Sequence, residues 1–266
     1  MNTFSIIMPA YSSNEGQYHR PKLIERAIRS IVNQQYPHWE LIIVDDGSTD
    51  ETPDLLKKWV EKDKRIKLIT HETSMNRAIS RNDGMDAATK DWLCWIDSDD
   101  EYTSHYLRAY DKMINEFSDY KIFNFSSILY YPNHTSQIRD TFKPLKLVVG
   151  HEWFKSGHIN TGAFIFKREI WQGHPEMRIP DEASPYAFAS ESHFDMRFPP
   201  NDPKVEFESE KAFTDGKMRV GVSLGNPFGD DFLQFYLLTR RFHSKPLDVA
   251  LYVIYPRNSE NCYEYF

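Results

Sequence analysis

The sequence predicts an α/β fold in which helices flank a mostly parallel central sheet. Short apolar, β-branched runs alternate with amphipathic helical segments through the first half of the 266-residue chain. The connections between them are short, and clusters of polar residues follow the strands. Such alternation is typical of a Rossmann-like, doubly wound sheet, which binds its ligands at the carboxyl ends of the strands.

The predicted elements follow one another regularly up to about residue 126. Apolar runs predict five buried strands, at 4–8, 40–44, 66–70, 92–96 and 121–126. Apolar residues at helical spacing predict four helices, at 22–35, 49–60, 76–89 and 104–117. Ser48 or Asp50 is expected to cap the second helix, since short side chains with an oxygen accept the first free N–H groups.

The second half of the chain is less regular. It contains a predicted strand at 163–167, a helix at 232–242 and a strand at 250–255. Residues 173–216 are rich in Pro, Asp, Glu and aromatic residues, which favours long loops. Because no linker-like segment divides the chain, we expect a single domain over residues 1–266.

Composition excludes several functional classes. A formal net charge of −7 is unlike that of a general nucleic-acid binder, which is usually basic. The sequence has no GxxxxGK or GxGxxG motif, which argues against a P-loop ATPase and a dehydrogenase. Two cysteines, no signal-peptide pattern and no apolar run near the roughly 20 residues of a membrane span predict a cytoplasmic protein.

Three carboxylates follow the fourth predicted strand closely, at Asp97, Asp99 and Asp100. Like charges at this spacing repel unless protons or a cation neutralise them. Hard divalent ions bind oxygen ligands, often one or two carboxylates together with substrate phosphates. The alternative is a helix N-terminus with extra acidic residues, which the helix dipole also favours.

A second acidic pair, Asp45 and Asp46, follows the second predicted strand and precedes a Gly-Ser turn. One of these carboxylates is suited to accept a hydrogen bond from a nucleobase N–H or a ribose hydroxyl. The alternative is a tight turn with a helix cap. Tyr11, just after the first strand, is either a stacking partner for a base or an ordinary loop tyrosine.

Together and in this order, three segments resemble the family 2 glycosyltransferases of the GT-A type. They are SIIMPAY, ELIIVDDGSTD and NRAISRNDGMDAATKDWLCWIDSDDEY, and the resemblance covers about residues 4–117. The resemblance implies that a nucleotide-sugar is bound by Pro9, Ala10, Tyr11, Asp45, Asp46, Arg81, Asp97 and Ser98. It also implies a Mn²⁺ or Mg²⁺ ion held by Asp99 and Asp97, with Asp100 as a substitute ligand.

The same resemblance suggests a catalytic base in the second half. Family members carry a Glu-Asp pair at the start of a helix, whereas this chain has Asp230 and Asp231 before an apolar helical run. We expect Asp231 to be the base and Asp230 the runner-up, with a double-Asp helix cap as the alternative. Asn160 matches the acceptor-side strand of the family. The halves would be a nucleotide-sugar-binding part at about 1–117 and an acceptor-binding part at about 118–266.

The expected function is transfer of a sugar from a nucleotide-diphosphate sugar, with UDP favoured, to an acceptor hydroxyl with inversion. The resemblance implies polysaccharide or surface-glycan assembly, a glycan or lipid-linked acceptor and peripheral association with the inner face of the membrane. A non-catalytic nucleotide- or sugar-binding module and a nucleotidyltransferase are the alternatives. A phosphatase of the haloacid dehalogenase type needs its DxD motif on an early strand, whereas Asp97 follows the fourth strand.

Overall fold

The computed structural model of the chain describes residues 1–15, 19–130, 136–139, 162, 164–173, 213–214, 217–218 and 244–254. The first strands are β1 (Phe4–Ala10), β2 (Trp39–Asp45), β3 (Ile66–Thr70), β4 (Trp92–Trp95), β5 (Glu101–Tyr102) and β6 (Ile122–Tyr130). They are followed by β7 (Ser136–Arg139), β8 (Phe164–Lys167), β9 (Phe213–Thr214), β10 (Lys217–Met218) and β11 (Ser244–Ile254). The helices are α1 (Pro21–Val32), α2 (Thr52–Lys62), α3 (Arg77–Asp86), α4 (Tyr106–Glu116) and α5 (Arg168–Gly173).

One large sheet carries the fold, with the strand order β3-β2-β1-β4-β8-β6-β11-β5 and β7 on the side of β6. Strands β1 to β4 are parallel. Strand β8 pairs antiparallel with both β4 and β6. The five strands predicted in the first half are confirmed as β1, β2, β3, β4 and β6, and they share one direction. Strand β8, which comes later in the chain, lies between β4 and β6.

The centre of the sheet is buried on both faces. Every residue of β1 and β2 is buried, as expected for strands that helices cover on each side. Helix α1 starts with Pro21, a residue favoured in the first turn, and buries the apolar stripe that includes Ile24, Ile28 and Ile31. Cys94 is buried in β4, as the apolar run around it predicted.

Helix α3 packs unusually close to β1. A Cβ atom on Gly84 would lie 2.4 Å from Ile7 Cγ2, so only a glycine allows this approach without a shift of the helix or the strand. At its start, the Asn76 side chain accepts hydrogen bonds from the N–H groups of Ala78 and Ile79. The packing and the cap fix where the side chains of α3 meet the sheet edge.

The start of α2 differs from the prediction. The helix begins at Thr52 rather than at residue 49, and Asp50 accepts a hydrogen bond of 2.9 Å from the Thr52 N–H. Ser48 does not cap it, because its hydroxyl oxygen accepts instead from the Ser12 N–H at 3.0 Å. The predicted helix 232–242 lies outside the described residues. Among the residues that are described, no helix is long and apolar enough to cross a membrane.

Candidate active site

The carboxyl ends of β1, β2 and β4 meet at one edge of the sheet because these strands are parallel neighbours. The structure places the nucleotide-side residues predicted from the sequence along this edge or on α3 beside it. Pro9 and Ala10 are the last two residues of β1, and both are buried. Tyr11, which follows them, is partly exposed. The Asp46 N–H donates to the Ala10 carbonyl at 2.8 Å, which joins the ends of β1 and β2.

Asp46 ties the loop between β3 and α3 to the end of β2. One carboxylate oxygen accepts from His71 Nδ1 and the Met75 N–H, both at 2.8 Å. The other accepts from the Ser74 hydroxyl at 2.7 Å and the Asn76 N–H at 3.1 Å. The side chain is only 6% exposed. A nucleobase N–H would therefore have to share or displace one of these four donors.

His71 lies between two carboxylates. Its Nδ1 is 2.8 Å from Asp46 Oδ1, and its Nε2 is 2.9 Å from Asp83 Oδ2 on α3. Burial by itself lowers the pKa of His71, but the hydrogen bonds and charges of the two carboxylates outweigh burial and raise that pKa above its ordinary value. The two carboxylates therefore favour the protonated form of the ring.

Asp45 faces a different environment from its neighbour. It is fully buried at the end of β2, and its Oδ1 accepts from the Ser48 N–H at 3.1 Å. Burial raises the pKa of this carboxyl. Its Oδ2 has no hydrogen-bond partner among the described residues. Asp46 therefore remains a candidate for base recognition through exchange of a donor, whereas the second oxygen of Asp45 is buried and would have to be uncovered before a base could reach it.

A buried cation holds the first carboxylate of the second acidic cluster. The fully buried Arg81 on α3 donates from Nη2 to Asp97 Oδ1 at 2.8 Å. Its guanidinium also lies 4.6 Å from the centre of the Trp95 ring, within range of a cation–π contact. Arg81 is therefore not a surface salt bridge. Asp97 remains 24% exposed, so its carboxylate still reaches the open edge of the sheet.

The other residues of this cluster differ in exposure. Asp99 is 13% exposed, and its Oδ2 lies 3.9 Å from Nη1 of Arg20, which precedes α1. Ser98 and Asp100 are buried. Asp100 Oδ2 accepts a hydrogen bond of 2.7 Å from the Tyr252 hydroxyl.

Tyr252 connects the second half of the chain to this cluster. It is buried on β11, and its hydroxyl accepts from the Asp97 N–H at 3.1 Å while donating to Asp100. Burial, followed by the charges of Asp100 and Asp97, raises the pKa of Tyr252 well above its ordinary value, so the hydroxyl stays protonated. The Gly162 backbone is close enough that a Cβ there would lie 2.0 Å from this ring.

Helix α3 joins the two acidic clusters. Arg81 reaches Asp97 on one side, and Asp83, two residues later, reaches His71 and through it Asp46. The glycine at position 84 allows this helix to lie against β1 between them. Residues 81–84 therefore position side chains of both acidic clusters.

The donor set at this edge fits a hard divalent ion. Mg²⁺ and similar ions are commonly bound by one or two carboxylates together with substrate phosphates. Asp97 and Asp99 have exposed carboxylate surface, whereas Asp100 is buried and directed to Tyr252. Within the described ranges, three side chains of types that can bind a metal ion lie close together, namely His19, Asp50 and Glu51. There Asp50 already accepts from the Ser12 hydroxyl, so this group is explained by hydrogen bonding.

Three predicted site residues lie outside the described residues, namely Asp230, Asp231 and Asn160. Conversely, His71, Asp83, Tyr252 and Arg20 were not predicted from the sequence. For His71 the available signal was its place directly after a strand that ends at this edge. Tyr252 had no such signal, because its partners are 152 and 155 residues away in the chain.

Replacement of Tyr252 by Phe is expected to lower the free energy of unfolding by about 1–3 kcal/mol, because a buried acceptor on Asp100 loses its donor. It should also weaken binding of metal and nucleotide, since the loop from Asp97 to Asp100 is no longer held. Chemical denaturation measures the first effect, and ligand-induced shifts of the melting temperature measure the second.

Tyr36→Phe is a matched control. Like Tyr252, Tyr36 contacts one backbone group and one carboxylate through its hydroxyl, but at the opposite edge of the sheet: the hydroxyl lies 2.6 Å from the Asn2 carbonyl and 2.9 Å from Asp111 Oδ1. It should lose stability without any change in ligand binding. If Tyr252→Phe binds ligands as the wild type does, Tyr252 does not position this loop.

Comparison with known proteins gives concordant results. The family model described as glycosyl transferase family 2 matches residues 5–172, more than half of the chain. A putative teichuronic acid biosynthesis glycosyltransferase, TuaG of Bacillus subtilis, is 36% identical over 98 residues, 37% of this chain and 36% of that protein. The Escherichia coli UDP-Glc:α-D-GlcNAc-diphosphoundecaprenol β-1,3-glucosyltransferase WfgD is 32% identical over 131 residues, 47% of this chain and 48% of that protein.

Among solved structures, S. aureus TarS 1–349 in complex with UDP superposes with a TM-score of 0.62 at 18% identity, covering 96% of this chain and 60% of that one. This likeness confirms the expected GT-A type fold. The chain spans less than two thirds of the length of each of these three proteins.

Proposed function

Because this chain belongs to the family 2 glycosyltransferases, we propose that it transfers a sugar from a nucleotide-diphosphate sugar to an acceptor hydroxyl, with inversion at the anomeric carbon. The observation that carries the proposal is the pair of acidic clusters on one sheet edge, joined by α3. Asp46 and Asp45 lie where a nucleobase would bind. Asp97 and Asp99 follow β4, on the other side of β1 from β2, where a diphosphate and its metal would lie.

A UDP-sugar is the proposed donor. WfgD is named for UDP-Glc, and TarS was solved with UDP. Pro9, Ala10 and Tyr11 would form the side of the base site, and Ser98 would lie beside the ribose or the diphosphate. The proposed acceptor is a glycan or a lipid-linked saccharide, since WfgD is named for a diphosphoundecaprenol acceptor. Such an acceptor would draw the enzyme to the inner face of a membrane, within polysaccharide or surface-glycan assembly.

The proposed reaction is a single displacement. Asp231 takes the proton of the acceptor hydroxyl as its oxygen attacks the anomeric carbon, with Asp230 as the runner-up for this role. The bond between that carbon and the diphosphate oxygen breaks, and the electron pair leaves with the nucleoside diphosphate. Asp97 and Asp99 would hold a Mn²⁺ or Mg²⁺ ion, which would supply positive charge against this leaving group. Asn160 would hydrogen-bond a hydroxyl of the acceptor.

The chain's own cations and hydrogen bonds prepare the site for this charge. Arg81 holds Asp97 through a hydrogen bond from its buried guanidinium, and Tyr252 bonds to both Asp97 and Asp100. Arg20, near Asp99, adds positive charge at the open edge. We propose Asp97 and Asp99, rather than Asp100, as the metal ligands. We also propose that residues 1–266 act as one domain, with the donor bound by about 1–117 and the acceptor by about 118–266.

The test is a thermal-shift measurement with UDP, GDP and dTDP, each with and without Mn²⁺. A ligand that binds only the folded state stabilises it by about 2.7 kcal/mol at 100 times its dissociation constant. We expect stabilisation by UDP that depends on the metal, followed by turnover of a UDP-sugar. Binding without turnover of any donor and acceptor pair would instead favour a non-catalytic nucleotide-binding module. No stabilisation by any nucleotide would contradict the proposal.

A further inference from the structure

We propose that His71 is a positioning residue whose imidazolium, held between Asp46 and Asp83, keeps the wall of the nucleotide site in its binding shape, so that nucleotide affinity falls when His71 loses its proton. The proposal rests on the function proposed above, since it assumes that a nucleotide binds beside Asp46. In this proposal His71 does not contact the substrate itself but acts through the carboxylate of Asp46.

The geometry requires both ring nitrogens to be donors. A carboxylate oxygen lies 2.8 Å from Nδ1 and another lies 2.9 Å from Nε2. Carboxylates without a proton only accept hydrogen bonds, whereas a neutral imidazole has one donor and one acceptor nitrogen. A neutral ring would therefore set a nitrogen lone pair against a carboxylate at hydrogen-bond distance. Only the imidazolium satisfies both contacts.

The charged groups around the ring come from two elements and its own loop. Asp46 stands at the end of β2, and Asp83 stands on α3. Asp45 contributes its backbone carbonyl, which accepts the His71 N–H at 2.9 Å, while the loop neighbour Glu72 is exposed. Among these described groups, the two hydrogen-bonded carboxylates set the charge of the ring.

The effect on pH follows from the direction of the shift. The folded-state pKa of His71 is raised, so the imidazolium contacts are complete below the ordinary histidine pKa of about 6.5 and are lost as pH rises through the raised pKa. Above that pKa the ring is neutral, so only one of its two nitrogens can donate to a carboxylate. Asp46 then keeps Ser74, Met75 and Asn76 as donors, but the bridge that runs from Asp46 through the ring to Asp83 is broken.

This link matters for the nucleotide because the same loop and helix border both acidic clusters. Asp46 holds residues 74–76, and α3 carries Arg81 to Asp97. A ring that binds Asp46 and Asp83 together fixes the distance between the end of β2 and α3. When the ring is released, the end of β2 and α3 are still joined through Asn76, but they lose the bridge between Asp46 and Asp83 that holds the base site and the diphosphate site in one geometry.

The first experiment needs no nucleotide. NMR titration of the ring resonances of His71, assigned by comparison with His71→Gln, measures its pKa in the wild type and in Asp83→Asn. We expect a raised pKa in the wild type and a lower one in Asp83→Asn, because the amide can still accept from Nε2 but carries no charge. An ordinary or lowered pKa in the wild type overturns the proposal.

The second experiment measures the affinity for UDP with Mn²⁺ as a function of pH by calorimetry. The wild type should bind about tenfold more weakly above the His71 pKa than below it, the scale of one hydrogen bond to a charged group. Asp83→Asn should show the same loss at a lower pH, and His71→Gln should bind weakly throughout. Because phosphate also ionises near pH 6, the difference between variants and wild type is the decisive quantity.

The outcomes separate the two proposals. Binding of UDP with the same pH profile in the wild type and Asp83→Asn overturns the positioning role of His71 and leaves the transferase function standing. Failure of the folded wild type to bind any nucleotide at any pH overturns the proposed function, and with it the link between His71 and affinity. A merely structural histidine would alter stability in these variants but would not shift the profile of binding.

Discussion

Asp99→Asn is expected to reduce turnover by about 10²–10³-fold, because the amide no longer supplies the negative charge that binds a divalent ion. A metal that stabilises charge on a leaving group contributes several kcal/mol, and each 1.36 kcal/mol is tenfold in rate. Stability should change little, since the Asp99 side chain is partly exposed and its ion pair with Arg20 is long, at 3.9 Å. Turnover of a UDP-sugar over a range of Mn²⁺ concentrations measures the effect.

Asp91→Asn is the matched control for Asp99→Asn. Asp91 immediately precedes β4, at the opposite edge of the sheet from Asp99, and accepts from the Thr3 hydroxyl at 2.8 Å. The Asp91→Asn variant should have the same turnover and the same dependence on Mn²⁺ as the wild type. If Asp99→Asn retains turnover within about threefold and needs the same Mn²⁺ concentration, Asp99 is not a ligand of a catalytic metal.

Asp100→Asn distinguishes the two roles within the cluster. Because Asp100 is buried and accepts from Tyr252, this variant should lose stability more than metal affinity. The reverse result, a large loss of metal affinity with unchanged stability, would make Asp100 a ligand and overturn the assignment of the metal to Asp97 and Asp99.

Asp231→Asn is expected to reduce turnover by about 10²–10⁴-fold, the usual contribution of a positioned general base. The amide has nearly the same shape but cannot take the acceptor proton. Binding of UDP and Mn²⁺ should be unchanged, because the base acts on the acceptor rather than on the nucleotide. Turnover with saturating donor and acceptor measures the first effect, and the thermal shift with UDP measures the second.

Asp230→Asn is the neighbouring control. Both residues precede an apolar run that predicts a helix, so either substitution also removes a favoured cap and can cost about 1 kcal/mol of stability. The unfolding temperature of each variant separates this loss from catalysis. Turnover of Asp231→Asn within a few-fold of the wild type excludes it as the base, and a collapse in Asp230→Asn alone would transfer the role to Asp230.

The candidate site was only partly predictable from the sequence. The acidic groups stood out because they follow apolar strands whose carboxyl ends meet at one edge of the sheet, although a helix N-terminus or a capped turn was the alternative for each. The resemblance placed Arg81 near the nucleotide, and in the structure it is a buried cation over Trp95 that holds Asp97. His71 gave no comparable signal, since a single histidine at the end of a strand is common and its two carboxylates lie 25 and 12 residues away.

The sequence by itself determined the first five predicted strands, their shared direction and the edge at which the polar residues gather. The strands follow from the hydrophobic period of the chain, and their direction follows from the short helical crossovers between them. Only the tertiary structure decided that β8 enters antiparallel between β4 and β6, and that β11 brings Tyr252 to Asp97 and Asp100. Such contacts depend on which distant segments bury one another's surfaces, and no local pattern of residues encodes that choice.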